Sequence, residues 1–369
     1  MRTMEIEVYR QRKIERFTHI LKRLKQKEIK VGTPVFVADG MRRRAELTFQ
    51  ERKDKLYLGF NARESHELVD VEVCLALSEK LNAILPQVRV FLHEYCQVQA
   101  VEKVKNKRKT VRVTQGEIWI TEADNGVDVL VEVEEKPCLE HRLLISDFVN
   151  HNEAVVRVSV GAKNSRPETV AEKSKPYIMM GGHTVFIPAG TFLQPSAAGQ
   201  KALTDLVLNY VGLQTGQIAD LFCGVGTFSY SLANNIKNKI TAIDSSAELL
   251  ADFRRTVNSL MLPNIEIVQR NLFKYPLEAA ELQKFAVVIF DPPRAGAAAQ
   301  AARLASLKQA DKPQKVVAVS CNPNTFVNDA NVLIDGGYRM TEITLVDQFV
   351  YAEHFELVAG FEKIEKDDF

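Results

Sequence analysis

Apolar positions along this chain change their period twice. In residues 1–30, Ile14, Phe17, Ile20, Leu21 and Leu24 recur at helical spacing, which predicts an amphipathic helix. From Pro34 to about Gly190 the pattern becomes β-rich. Arg42–Phe49 and Lys55–Phe60 predict paired strands around the polar turn Gln50–Asp54. A short helix is expected over 76–85, and strands over Val111–Thr121, Val127–Val133 and Ala154–Val160. Ala162–Pro176 is polar and reads as a loop. After Pro188 apolar runs alternate regularly with helical stretches. Strands are predicted at Ile218–Phe222, Ile240–Ile243, Ile265–Val268, Ala286–Phe290 and Val316–Ser320, and helices at Thr227–Ala233 and near Ala247–Leu260. Arg339–Val346 and Phe355–Phe361 predict a closing antiparallel pair at the sheet edge. This βα alternation argues for a doubly wound sheet. Three regions follow: a helix (1–30), a β-rich central domain (31–190) and an α/β domain (191–369).

Composition narrows the class only slightly. A chain of 369 residues with a formal net charge of +1 is not globally cationic, so nucleic-acid binding would need a local patch. Three such patches stand out. The first helix carries Arg10, Arg12, Lys13, Arg16, Lys22, Arg23, Lys25 and Lys27 against Glu5, Glu7, Glu15 and Glu28; a solvated surface helix and an RNA-contacting one both fit that pattern. Lys103, Lys105, Lys107, Arg108, Lys109 and Arg112 predict an exposed basic hairpin. With Arg42, Arg43 and Arg44 these residues are read as the electrostatic footprint of a phosphate backbone. The five cysteines (Cys74, Cys96, Cys138, Cys223, Cys321) show no close metal-site spacing, and a reduced, cytoplasmic compartment fits them. There is no run of 18 apolar residues and no signal-peptide core, so no membrane association is expected.

The candidate chemistry lies at predicted strand ends, where open α/β sheets bind their ligands. Val316–Ser320 delivers Cys321 to such a point, and Pro323 is expected to hold Asn322 extended so that no helix starts at once. Asp220-Leu221-Phe222-Cys223-Gly224-Val225-Gly226-Thr227-Phe228-Ser229 sits between a strand and a helix; its glycines permit a tight turn and close approach of a ligand. Asp244 ends the next strand, where a carboxylate accepts hydrogen bonds from ribose hydroxyls. That serves NAD and S-adenosylmethionine alike, but Ser229 replaces the third glycine of the dinucleotide fingerprint and tilts the reading to S-adenosylmethionine. Asn271 is either an adenine contact or a turn residue. Asp291-Pro292-Pro293-Arg294 follows the fourth strand, its prolines stiffening the loop behind a carboxylate.

In this order, Phe192-Leu193-Gln194, Asp220–Ser229, Asp291–Gly296, Ser320–Thr325, Asp347-Gln348-Phe349 and His354-Phe355-Glu356 resemble the RNA uracil-5-methyltransferases. Arg42-Arg43-Arg44-Ala45, Gly59-Phe60, Ser65-His66 and Val69-Asp70 resemble the family's central domain. The resemblance implies a class I methyltransferase fold, Rossmann-like, with a seven-stranded sheet beside the β-rich domain. It implies that S-adenosylmethionine is held by Gln194, Phe222, Gly224, Gly226, Thr227, Asp244, Asn271 and Asp291. Cys321 would be the nucleophile, Glu356 the base, and Asp291 the group that orients the target ring. Arg42, Arg43, Arg44 and Arg294 would bind the RNA substrate, transfer or ribosomal.

Departures from the family's pattern are local. Its Phe-Pro-His-Thr stretch reads Phe349-Val350-Tyr351-Ala352 here, and Gln194 is followed by Pro195-Ser196. Of the cluster-binding cysteines of related iron–sulfur members only Cys74 has a counterpart, so no cluster is expected. Cys223 is read as a packing residue and His354 as a loop-orienting one. Two alternatives stay open: an RNA cytosine-5-methyltransferase, and a non-catalytic RNA-binding protein that retains the fold.

Overall fold

A computed structural model describes residues 5–62, 65, 67–104, 107–163, 165–212, 216–235 and 237–365. The chain forms two compact units: Met1–Ala38 with Met180–His183 and Ala197–Phe369, and Asp39–Met179 with Thr184–Ser196. The N-terminal helix, set apart by its charge in the sequence, therefore belongs to the same unit as the C-terminal α/β region.

In that first unit the sheet order is Lys30–Val31, Tyr338–Asp347, Glu356–Lys363, Lys315–Ser320, Phe285–Phe290, Gln217–Leu221, Ile240–Asp244, Ile265–Gln269, with Val35–Phe36 also on Tyr338–Asp347. Seven long strands are those expected. Two two-residue strands from the N-terminal region extend the sheet to nine, pairing parallel to Tyr338–Asp347. The closing antiparallel pair is therefore not at the edge: Glu356–Lys363 lies between its partner and the cysteine strand. The chain reverses its direction of travel between Gln217–Leu221 and Phe285–Phe290, which opens a crevice at their carboxyl ends.

One apolar core spans this unit. Phe17, Ile20 and Leu24 of the N-terminal segment share it with Leu221, Val288, Phe290, Ala318 and Phe355. Burying three such side chains contributes roughly 1.5–3 kcal/mol each, enough to hold the helix Ile6–Lys22 on the sheet. Its buried stripe is Tyr9, Lys13, Phe17 and Ile20. Lys13, counted above with the basic face, is thus on the apolar side.

The helix Pro323–Asp335 begins directly after the cysteine, against expectation. Asn322 is extended (φ −126°, ψ 104°), as the following proline requires, but that conformation is the one an N-cap adopts. Its side chain accepts from the Asn324 N–H, and Pro323 occupies the first turn, where its missing N–H costs nothing.

The second unit holds a seven-stranded sheet in the order Glu168–Glu172, Val155–Gly161, Gly126–Glu132, Gln115–Ala123, Arg44–Arg52, Lys55–Asn61, Leu68–Asp70. Lys53 and Asp54 take positive φ (50° and 59°), so the first hairpin turns in two residues. The stretch read as a loop over 162–176 contains Glu168–Glu172, which pairs antiparallel with Val155–Gly161. The helix expected over 76–85 runs as Glu79–Gln97 through Pro86. Eight buried side chains, from Leu81 to Cys96, anchor it, which outweighs the roughly 3 kcal/mol that an internal proline costs. The basic segment forms the backbone hairpin Ala100–Val104 and Lys107–Val111; Lys105 and His66 lie outside the described residues.

Candidate active site

Three chemical groups converge where strands of the first unit end. The cysteine strand pairs parallel with Phe285–Phe290 and antiparallel with Glu356–Lys363, with Ser320 opposite Leu357. Cys321, Asp291 and Glu356 therefore emerge at the same edge of three adjacent strands. Their electrostatics agree. Burial pushes the Cys321 thiol up to about 11, and the carboxyls of Glu356 and Asp291 push it the same way, while Arg294 pulls it down. Burial, and then the neighbouring Asp291, raise Glu356 well above the ordinary carboxylate range. Asp291 is raised as well, by burial and then by Asp220. Two carboxyls this close resist ionising together.

Backbone ties make the site stiff. The Asp291 N–H donates to the Leu221 carbonyl (3.3 Å). The Asn322 side-chain amide donates to the Arg294 carbonyl (2.9 Å), joining the cysteine loop to the Asp-Pro-Pro-Arg loop. Ser320 Oγ accepts from the Asn322 N–H at 3.2 Å, bracing Cys321 from both sides. Arg294 is exposed, and its guanidinium donates to His354 Nε2 (3.0 Å). His354 is held below its usual range by burial and by Arg294, so it accepts that bond as a neutral ring.

The segment that delivers Glu356 is clamped from beneath by the N-terminal helix. Lys13 Nζ lies 3.1 Å from Asp347 Oδ1, with the two side chains 4% and 1% exposed. It also donates to the His354 carbonyl (2.5 Å). Tyr9 Oη donates to Asp347 Oδ2 (2.6 Å), and the Phe349 N–H donates to Asp347 Oδ1 (3.2 Å). Beyond Asp347, the Gln348 amide donates to Glu356 Oε1 (3.4 Å). The residues 349–352, where the family's pattern is departed from, form a turn closed by the Ala352 N–H on the Phe349 carbonyl (2.9 Å). Tyr351 takes φ 63° there, with its ring 5.7 Å from that of Tyr9. Tyr9 was not singled out from sequence and Lys13 was read only as part of a basic face, although their spacing of four with Phe17 carried the signal.

The glycine loop is built to receive a ligand. Phe222 holds φ 62°, an uncommon conformation for a non-glycine residue, and its ring packs 5.3 Å from that of Phe273. A Cβ on Gly224 would meet nothing within 4 Å, so that backbone faces open space. Gly226 is different: at φ 91° its missing Cβ would lie 2.5 Å from Phe253. Asp244 accepts from the Gly224 N–H (3.1 Å) and the Ser246 N–H (2.9 Å), one on each oxygen. Ser229 donates to the fully buried Asp220 (2.6 Å), whose second oxygen meets no side-chain or backbone partner among the described residues. Burial lifts Asp220 to about 7. Thr227 opens the helix Thr227–Asn235. Cys223 is buried and its thiol sits well above its usual range, which suits packing. Asn271 Oδ1 accepts from the Phe273 and Lys274 N–H groups, the bonding of a turn residue. The open face at Gly224, the carboxylate at Asp244 and the aromatic pair beside them fit S-adenosylmethionine: a nucleoside with two ribose hydroxyls and a planar base.

The remaining candidates lie in the second unit. Arg43 and Arg44 are buried, at 6% and 9% exposure. Arg43 Nε donates to the Gln194 carbonyl (3.0 Å). The Arg44 guanidinium stacks over Trp119 and Phe192 at 4.8 and 5.2 Å. Arg42 Nε donates to the Arg44 carbonyl. Gln194 is itself buried. The arginine triplet thus corrects the expectation of an open basic patch: two of its three guanidiniums are committed to burial and stacking. Among the described residues no group of three or more His, Cys, Asp or Glu side chains is arranged to hold a metal, and no helix is long and apolar enough to cross a membrane.

A doubly wound sheet with a glycine loop, an acid at the end of the next strand and a C-terminal antiparallel pair defines a class I methyltransferase fold. Comparison with known proteins takes this further. Residues 181–363 match the tRNA (Uracil-5-)-methyltransferase family. The chain is 34% identical over 329 residues to an uncharacterized RNA methyltransferase of Agrobacterium fabrum, covering 89% of this chain and 73% of that protein. It is 28% identical to the 23S rRNA (uracil(1939)-C(5))-methyltransferase RlmD of Yersinia enterocolitica, covering 87% and 69%. The Pyrococcus abyssi tRNA (uracil-54, C5)-methyltransferase, solved with S-adenosyl-L-homocysteine, shares the fold (TM-score 0.69, 23% identity, 95% of this chain and 81% of that one). The chain belongs to the RNA uracil-5-methyltransferase family, S-adenosylmethionine-dependent enzymes.

Proposed function

We propose that the protein methylates carbon 5 of a uridine in transfer or ribosomal RNA through a transient bond between Cys321 and carbon 6 of the ring. The observation that carries this reading is the convergence of Cys321, Glu356 and Asp291 at one end of three adjacent strands. Carbon 5 of uracil is a poor nucleophile. Addition of the Cys321 thiolate to carbon 6 makes an enolate with electron density on carbon 5. The cofactor supplies a methyl group on a positively charged sulfur, held by Phe222, Gly224, Gly226, Thr227, Asp244 and Asn271. Glu356 then takes the proton from methylated carbon 5. The C6–S bond breaks, the 5,6 double bond re-forms and the thiolate is released. Asp291 accepts from the N–H on the ring's polar edge and orients it. Arg294 steadies the substrate at the rim. A uracil must leave its stack to reach this recess, so an unpaired loop nucleotide is the expected target.

Incubation with S-adenosylmethionine and, separately, the tRNA and rRNA of cells lacking the gene tests the reading by nucleoside mass spectrometry. New 5-methyluridine in one fraction is expected. Its absence from both, or 5-methylcytidine in its place, would overturn it.

A further inference from the structure

Two arginines of the N-terminal helical segment are tied to the two loops that carry Glu356 and Cys321. Arg16 donates from Nη1 to the Glu353 carbonyl (2.7 Å), three residues before Glu356. Arg23, at the helix C-cap, donates from Nη1 to Asn324 Oδ1 (2.7 Å), three residues after Cys321. Both side chains are exposed. Neither is paired with a carboxylate among the described residues, whereas Arg10 and Lys25 of the same segment are. Each guanidinium is thus anchored by one nitrogen to a loop of the site, and that of Arg16 also lies 5.9 Å from the centre of the Phe355 ring.

That arrangement has a cost without a partner. Arginine gives up side-chain entropy when fixed, and an exposed bond to a neutral acceptor returns little of it, with the Phe355 ring helping Arg16 alone. A guanidinium held in place by one nitrogen presents a ready fork to a phosphate, since little further freedom is lost on binding. Arg294 adds a third exposed cation at the same mouth.

We propose that Arg16 and Arg23 bind the RNA phosphates on either side of the target nucleotide, making the N-terminal helix part of the RNA-binding surface. This rests on the reading of the recess as the site of an RNA methyltransferase. The helix would then have two faces with separate tasks: Tyr9 and Lys13 secure the Glu356 segment from within, and the two arginines hold the substrate from outside.

Filter binding of unfractionated tRNA to the full chain between 50 and 200 mM KCl tests this. Each lost phosphate contact lowers the slope of log K against log salt by about 0.7–0.9. Arg16→Ala/Arg23→Ala should therefore lower it by about 1.4–1.8, so that the variant loses roughly tenfold less affinity than wild type across that range. Arg16→Lys/Arg23→Lys, which keeps the charge, should retain most of the slope. An unchanged slope in the alanine variant, or equal loss in both variants, would overturn the proposal, because a purely structural role would not distinguish charge. Failure of the methyltransferase reading is seen separately, as wild-type protein that binds RNA with this salt dependence but forms no 5-methyluridine.

Discussion

Replacing Lys13 by Met examines how the N-terminal helix supports the site. Lys13 is 3% exposed and Asp347 1% exposed, so the substitution leaves a carboxylate buried without its cation. Breaking one side of a buried ion pair costs about 3–5 kcal/mol. Here the Tyr9 hydroxyl and the Phe349 N–H still solvate Asp347, which favours the lower end, about 3 kcal/mol. For a unit of this size each kcal/mol lowers Tm by about 2–4 °C, so a fall of roughly 6–12 °C is expected in a calorimetric melt. Lys13→Met/Asp347→Asn removes both charges and should recover much of the loss, giving a coupling energy above about 1 kcal/mol. If the two single losses simply add, the pair does not act as a unit and the clamp is wrong.

Other expectations follow from the buried acids. Cys321 and Glu356 both ionise above their usual ranges, and the mechanism needs the thiolate and the carboxylate. The deprotonated fractions grow with pH, so single-turnover methylation should climb from pH 6 to pH 9; a flat profile would contradict the assignment. Asp220 holds its proton in the folded chain up to about 7, whereas the unfolded chain releases it near 4. Between those values the native state binds more protons, so stability falls as pH rises, by on the order of 4 kcal/mol in all. Asp220→Asn should flatten that slope in denaturant titrations at pH 4.5 and pH 8. Gly226→Ala places a methyl against the Phe253 ring and forces φ 91° on alanine, so calorimetric binding of S-adenosylhomocysteine should weaken at least tenfold.

Much of the first unit was legible because its strands are buried on both faces. Runs such as Val316–Ser320 and Ala286–Phe290 are almost wholly apolar, and the chemistry sits at their ends, where Cys321, Asp291 and Asp244 are easily placed. The second unit was harder. Its long helix passes through Pro86, and the strand Glu168–Glu172 is polar because it is an exposed edge; local signals there lose to tertiary packing. The arginine triplet shows the same limit from another side. Charge in a sequence does not say whether a guanidinium meets water or the face of Trp119. Asn322 read correctly as extended, yet extended geometry before a proline is equally the start of a helix. The N-terminal clamp joins residues more than 330 positions apart, and no periodicity links Lys13 to Asp347.

The central claim is the sulfur–carbon bond, and RNA substituted with 5-fluorouridine interrogates it directly. Fluorine on carbon 5 cannot leave as a proton, so the methylated adduct cannot be released. Wild-type protein incubated with the substituted RNA and S-adenosylmethionine should form a complex that survives denaturing electrophoresis, and peptide mapping should place the nucleotide on Cys321. Cys321→Ala should form none. Absence of a covalent complex with wild-type protein that is methylating ordinary RNA, or an undiminished complex with Cys321→Ala, would contradict the account.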